Sequence, residues 1–168
     1  MKKTVLSIVT FVALFIVSCE GPQGPPGADG ISIDIVGQTY EITNVNFSAT
    51  QDLERFFFPN NLVDGDAVLV YRLEGVDNGL DIWEPLPTAT IFFDDGGFFQ
   101  YRFNYTIGDV DIIAESDDLN AIGADLMLNQ TFRIVVMPSD MAATINTNKL
   151  EDVMKYLNIK EMDIQNIK

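Results

Sequence analysis

The chain contains no histidine. That removes the Ser-His-Asp arrangement, the common histidine zinc sites and the usual general base near neutral pH. Cys19 is the only cysteine, so no intrachain disulfide can form and stability must come from a packed core. Basic residues are scarce: 10 Lys and Arg stand against 25 Asp and Glu, a formal charge of −15. Such a surface repels phosphate backbones and anionic headgroups, which argues against nucleic acid and against adhesion to anionic lipid. No Gly-x-Ser-x-Gly elbow and no Gly-Lys-Ser/Thr phosphate loop occurs.

What is present begins at the N-terminus. Lys2 and Lys3 precede an apolar run from Val5 to Val17, which ends at Ile16-Val17-Ser18-Cys19. A positive n-region stays cytoplasmic while a short apolar h-region enters the membrane. The run is 13 residues long, whereas a spanning helix needs ~20. Cleavage before Cys19 is therefore expected, with Ser18 supplying the small side chain at the cut. The segment resembles a bacterial lipobox in which Ile16 replaces the usual Leu. Residues 1–18 read as a lipoprotein signal peptide and Cys19 as the lipidated N-terminus of the mature chain. An ordinary secretory signal with Cys19 a free thiol, and an uncleaved anchor, are the other readings. Loss of Lys2 and Lys3 takes the charge from −15 to −15 − 2 = −17.

Residues 19–30 continue with Gly21-Pro22-Gln23, Gly24-Pro25-Pro26, Gly27-Ala28-Asp29 and Gly30. Gly at every third position is what a collagen triple helix demands, because only Gly fits at its axis. Three full triplets are too few to hold three chains together by themselves. The expectation is a polyproline II spacer and a monomer, with a trimeric stalk as the alternative.

Residues 31–168 read as a single β-rich domain, long enough for a real core. From Phe98 to Ile107 the rings of Phe99, Tyr101 and Phe103, with Tyr105 and Ile107, alternate with Gln100, Arg102 and Asn104. This predicts an antiparallel strand with one face inward. Asp94-Asp95-Gly96-Gly97 joins it to a strand over Thr90–Phe93 as a hairpin. Ala67–Leu73 is apolar on both faces until Arg72 and predicts a central strand. Thr131–Met137 places Phe132, Ile134 and Val136 inward, and Val110, Ile112 and Ala114 alternate with Asp109 and Asp111. Between Tyr40 and Ala49 the apolar phase changes, which predicts a bulge near Thr43 and Asn44. Leu150, Val153, Met154 and Leu157 have helical spacing, with Asn148 and Glu151 placed as a capping box. Leu119, Ile122 and Leu126 suggest a weaker helix broken at Gly123. The fold class is mainly β: an antiparallel β-sandwich or open barrel with one C-terminal amphipathic helix.

The signal, Cys19-Glu20-Gly21-Pro22, the brief Gly-X-Y tract and an acidic Phe-rich β domain together resemble the small collagen-like lipoproteins of the Bacteroidota. The similarity extends through Asp66-Ala67-Val68-Leu69-Val70-Tyr71, Phe92-Phe93-Asp94-Asp95-Gly96 and Phe132-Arg133-Ile134-Val135-Val136. It implies a cell-envelope location, at the outer membrane, and this architecture. It implies no activity.

The remaining candidates for chemistry are acids and aromatics. Asp64-Gly65-Asp66, Asp77-Asn78-Gly79-Leu80-Asp81, Asp94-Asp95 and Asp117-Asp118 suit turns, and could also ligate calcium, although none matches an Asp-x-Asp-x-Asp-Gly loop. The metal ligand set is therefore unknown. Two carboxylates can serve a glycosidase, but no pair among 25 acids is singled out. Trp83, ahead of Glu84-Pro85-Leu86-Pro87, either stacks on a sugar or partner or packs over the sheet edge. Phe56-Phe57-Phe58 cannot send three rings into one core if extended. The expectation is a non-enzymatic domain without cofactor, anchored to the membrane through lipid on Cys19 and presented for binding or structural contacts. A calcium- or carbohydrate-binding sandwich in a surface nutrient or adhesion system is the alternative.

Overall fold

The computed structural model describes residues 37–167. The expected signal peptide, the expected lipidation site Cys19, the Gly-X-Y tract and the expected domain start near Ile31 lie outside the described residues. Strands β1 (Gln38–Val45), β3 (Asp66–Asp77), β4 (Leu80–Pro85), β8 (Gln130–Pro138) and β9 (Gln165–Asn166) form one sheet in the order β4-β3-β8-β1-β9. Strands β2 (Leu53–Phe57), β5 (Ile91–Phe92), β6 (Phe98–Tyr105) and β7 (Asp109–Ser116) form a second, in the order β2-β7-β6-β5. Every pairing is antiparallel except the short β1–β9 pair.

The two sheets face each other across one core built from both, so the domain is an antiparallel β-sandwich. Its centre is aromatic. Phe47, Phe99 and Phe132 surround Tyr101 with ring centroids 5.5, 4.9 and 5.4 Å away. The Phe99 and Phe132 rings meet Tyr101 edge-on, the arrangement that ring quadrupoles favour.

The alternation in β6 is realised. Phe99 and Tyr101 are buried, Phe103 is half-buried, and Arg102 and Asn104 are exposed. The strand is shorter than expected, however, and ends at Tyr105. The Thr106 hydroxyl accepts from the Gly108 N–H and donates to Asp109, and the Thr106 N–H reaches the Asp109 carbonyl. This tight turn leaves Tyr105 and Ile107 exposed. In the β5–β6 hairpin, Ile91 pairs with Phe99 and Phe92 with Phe98, around Gly96 at φ +92°. The bulge in β1 falls where the phase change puts it. Register shifts between Ile42 and Val45, with Asn44 at φ 58°, so that Tyr40, Ile42, Val45 and Phe47 all reach the same core.

β3 and β8 are central and covered on both faces. Val68 and Val70 point between the sheets, and Tyr71 points into a second core beneath the C-terminal helices. In β8 the expected Phe132, Ile134 and Val136 face the first core, and Val135 and Met137 fill the second. The expected apolar set was thus three of the five apolar side chains this strand buries. Arg72 is buried as well. It points between the sheets, donates to Gln130 at 2.8 Å and lies 5.3 Å over the Tyr101 ring.

Three short α-helices accompany the sheets: α1 (Ala124–Met127), α2 (Ser139–Ala142) and α3 (Leu150–Tyr156). α3 buries Leu150, Val153 and Met154, as its spacing predicts. The capping box does not form. Lys149 occupies the cap position without a side-chain bond, and the Asn148 N–H instead donates to the Asn146 side chain. The Tyr71 hydroxyl donates to the Thr147 carbonyl at 2.6 Å and pins this turn to the sheet. A tertiary anchor therefore stands where local capping was expected. The weaker helix is indeed split: a 3-10 turn over Leu119–Ala121 and α1 flank an extended Gly123. No helix among the described residues is long and apolar enough to cross a membrane.

Candidate functional site

The topology brings two of the acidic pairs to one end of the sandwich. Asp94 and Asp95 lie in the β5–β6 turn, and Asp117 and Asp118 follow β7. Together with Phe93 and Ile122 they line an open depression of ≈ 540 Å³. One oxygen on each of three of these acids takes a backbone donor. Asp95 accepts from the Gly97 N–H, Asp117 from the Phe98 N–H and Asp118 from the Asn120 N–H, each at 3.0 Å. Gly97 sits against this arrangement, since a Cβ there would stand 3.2 Å from Oδ1 of both Asp95 and Asp117. Elsewhere, Asp66 accepts from the Val63 N–H, and Asn78 and Gly79 turn the β3–β4 hairpin with positive φ. No group of three carboxylates among the described residues converges closely enough to hold a metal ion.

Two outcomes are expected of these acids. Titration with millimolar calcium should leave the melting temperature unchanged, because no three carboxylates among the described residues converge to ligate the ion. A rise with calcium, the signature of a ligand that binds only the folded state, would contradict this. Acid should destabilise the domain. The Phe98 N–H holds the Asp117 carboxyl below the usual range, as does Arg55 for Asp111 and Gln100 for Glu115. A carboxyl with a depressed folded-state pKa contributes stability that is complete above its unfolded value, about 3.9 for Asp. That stability is lost as pH falls through the folded-state value. Melting temperature should therefore hold from neutral pH to about pH 5 and drop below pH 4. For Asp117→Asn the drop should be shallower; an unchanged profile would remove Asp117 from this account.

The most strongly coupled side chains lie on the other face of the five-stranded sheet. Arg133, in the middle of β8, donates Nε to Glu41 of β1 at 2.7 Å. Its two terminal nitrogens go to both oxygens of Glu161, at 2.9 and 2.6 Å. The guanidinium also lies 4.4 Å over the ring of Trp83, on the edge strand β4. Its side chain is only 7% exposed, whereas that of Glu161 is 76% exposed. Burial works against the Arg133 charge, and the carboxylates of Glu161 and Glu41 outweigh it, so its pKa is raised. Beside this assembly an open groove of ≈ 900 Å³ runs between β4 and α3, with Leu80, Trp83, Met154 and Lys155 on its walls.

Trp83 therefore packs over the sheet edge, half-buried against the second core, with Arg133 on one ring face. The three consecutive phenylalanines divide as strand geometry requires. Phe56 and Phe58 are buried between the sheets and Phe57 is exposed. A second ion pair, Arg55 to Asp111, is two-pronged at 2.7 and 2.8 Å across β2 and β7 on the outer face.

Sequence reasoning did not anticipate Arg133, Glu41 and Glu161 as a unit. They are separated by 92 and 28 residues and meet only through sheet pairing and the return of the C-terminus. The one available signal was a single arginine inside the apolar run of Phe132-Arg133-Ile134-Val135-Val136. Cys19, the expected lipidation site, lies outside the described residues. Compared with protein-family models, with curated proteins and with solved structures, the chain matches none.

Proposed function

We propose that this chain is an extracytoplasmic lipoprotein of the cell envelope, anchored in the outer membrane through lipid on Cys19, that presents a non-enzymatic β domain for binding or structural contacts. The observation that carries the reading is the order of segments. Two lysines, a 13-residue apolar run and Ser18-Cys19 are followed at once by Gly-X-Y triplets and then by a β-sandwich. A lipid on Cys19 makes the triplets a spacer between membrane and domain. Pairing of the buried Arg133 with Glu41 and Glu161, and of exposed Asp95, Asp117 and Asp118 with backbone N–H groups, gives these polar groups structural employment and supports a presenting rather than a catalytic domain.

Mass spectrometry of protein extracted from its native membrane tests the anchor. The mature chain should begin at Cys19 and carry two or more acyl chains, since a single chain binds membranes only marginally. Cys19→Ala should release or mislocalise the protein. A start elsewhere, or an unmodified Cys19, would end the proposal.

A further inference from the structure

The end of the sandwich at which the chain enters also carries a concentration of exposed apolar side chains. Gln38 opens β1 opposite Val136, and Pro138, two residues further along β8, pairs with Asp66. This places the loop before Asp66 at the same end. The β6–β7 tip joins that loop through the Leu62 N–H to the Ile107 carbonyl and the Phe58 N–H to the Gly108 carbonyl. Phe57, Val63 and Ile107 are 68%, 67% and 59% exposed there, and Tyr105 is exposed beside them. The turn that ends β6 holds Ile107 outward, and strand alternation does the same for Phe57.

We infer that this end of the domain rests on the surface of a zwitterionic phospholipid bilayer, with Phe57, Val63, Tyr105 and Ile107 entering its interfacial layer. The inference rests on the lipid anchor proposed above. Gly37 stands 37 − 19 = 18 residues from Cys19, a reach of at most about 60 Å when fully extended. Such a tether keeps the domain within reach of the membrane, so that docking is in effect intramolecular and weak interfacial contacts suffice for it. The chain leaves the sandwich at the apolar end, and that end can therefore meet the bilayer without the domain turning over. Asp64 and Asp109 at the same end disfavour anionic headgroups, which selects a zwitterionic surface. Aromatic and aliphatic residues at loop tips are suited to the headgroup boundary.

The test uses the chain from Cys19 onward, coupled through its single thiol to a maleimide phospholipid in phosphatidylethanolamine and phosphatidylcholine vesicles. Amide hydrogen exchange is compared before and after coupling. Exchange at 57–65 and 105–109 should slow by about tenfold, the factor expected when the tether concentration exceeds the docking Kd by that much. Exchange at 94–97 and 117–121, at the opposite end, should not change. Phe57→Ser combined with Ile107→Ser should abolish the slowing while the melting temperature stays near that of the parent. Absence of slowing, or equal slowing at both ends, overturns the inference. Slowing that grows with protein density on the vesicle also overturns it, since a second copy would then be the occupant. Because the coupling is chemical, these outcomes are independent of whether natural Cys19 is acylated, which the native mass decides separately.

Discussion

Replacement of Phe132 by alanine is expected to unfold the domain or leave it barely folded. Its ring has no exposed surface, belongs to the central strand β8, and stands edge-on to both Tyr101 and Phe47. Truncating a buried Phe to Ala costs ~3–5 kcal/mol, from lost transfer energy and from the cavity left behind. A domain of this kind has ~5–15 kcal/mol in total. Phe103→Ala is a milder change than the β6 alternation by itself suggests. That ring is half-buried and stacks on exposed Tyr105 with centroids 6.4 Å apart. Asn104→Ala, on the solvated face of the same strand, should shift stability by less than about 0.5 kcal/mol. Chemical denaturation measures all three. A loss for Asn104→Ala comparable to that for Phe132→Ala would mean that the outer face of β6 is covered, and would overturn the two-sheet packing described here.

The second large effect should come from stripping Arg133 of its carboxylates. Glu41→Gln with Glu161→Gln leaves a nearly buried guanidinium without a counter-charge. Removing the partner of a fully buried charge costs about 3–5 kcal/mol. Because Glu161 opens to water, the expected loss lies at or below the lower end, about 2–3 kcal/mol. Arg133→Met should cost clearly less. The methionine fills apolar space beside Trp83, and the two carboxylates it leaves can turn towards solvent. This asymmetry is the signature of a charge whose burial is tolerated only because it is paired. Near-equal losses in urea denaturation for the two variants would show that the arginine stem, rather than its charge, holds the C-terminal segment. Loss of the pair should also free the segment from Glu161 to Ile167. There β9 joins β1 through only two residue pairs, Tyr40 with Gln165 and Glu41 with Asn166. Faster amide exchange in β9 would report it.

The residues by themselves determined the β class, the register of β6, the bulge in β1, the apolar face of α3 and the break at Gly123. Each of these depends on neighbours within about ten positions, where alternation or helical spacing decides which side chains share a face. That Phe56, Phe57 and Phe58 could not all enter one core was legible in the same way, but that Phe57 is the ring left in water came only with the structure. The layers themselves were not legible. Nothing local states that β8 lies between β3 and β1, so the burial of Val135 and Met137 under helices could not follow from Phe132, Ile134 and Val136. The cap at Asn148 failed for a related reason, because the Tyr71 hydroxyl, 76 residues away from Thr147, fixes the turn instead. Arg133 meeting Glu41 and Glu161, Asp95 meeting Asp117 across Gly97, and the apolar tips gathering where the chain enters were likewise decided only by the tertiary structure. Charge pairing and surface clustering depend on distance in space. Sheet order, which sets that distance, is the outcome of long-range pairings that no local period encodes.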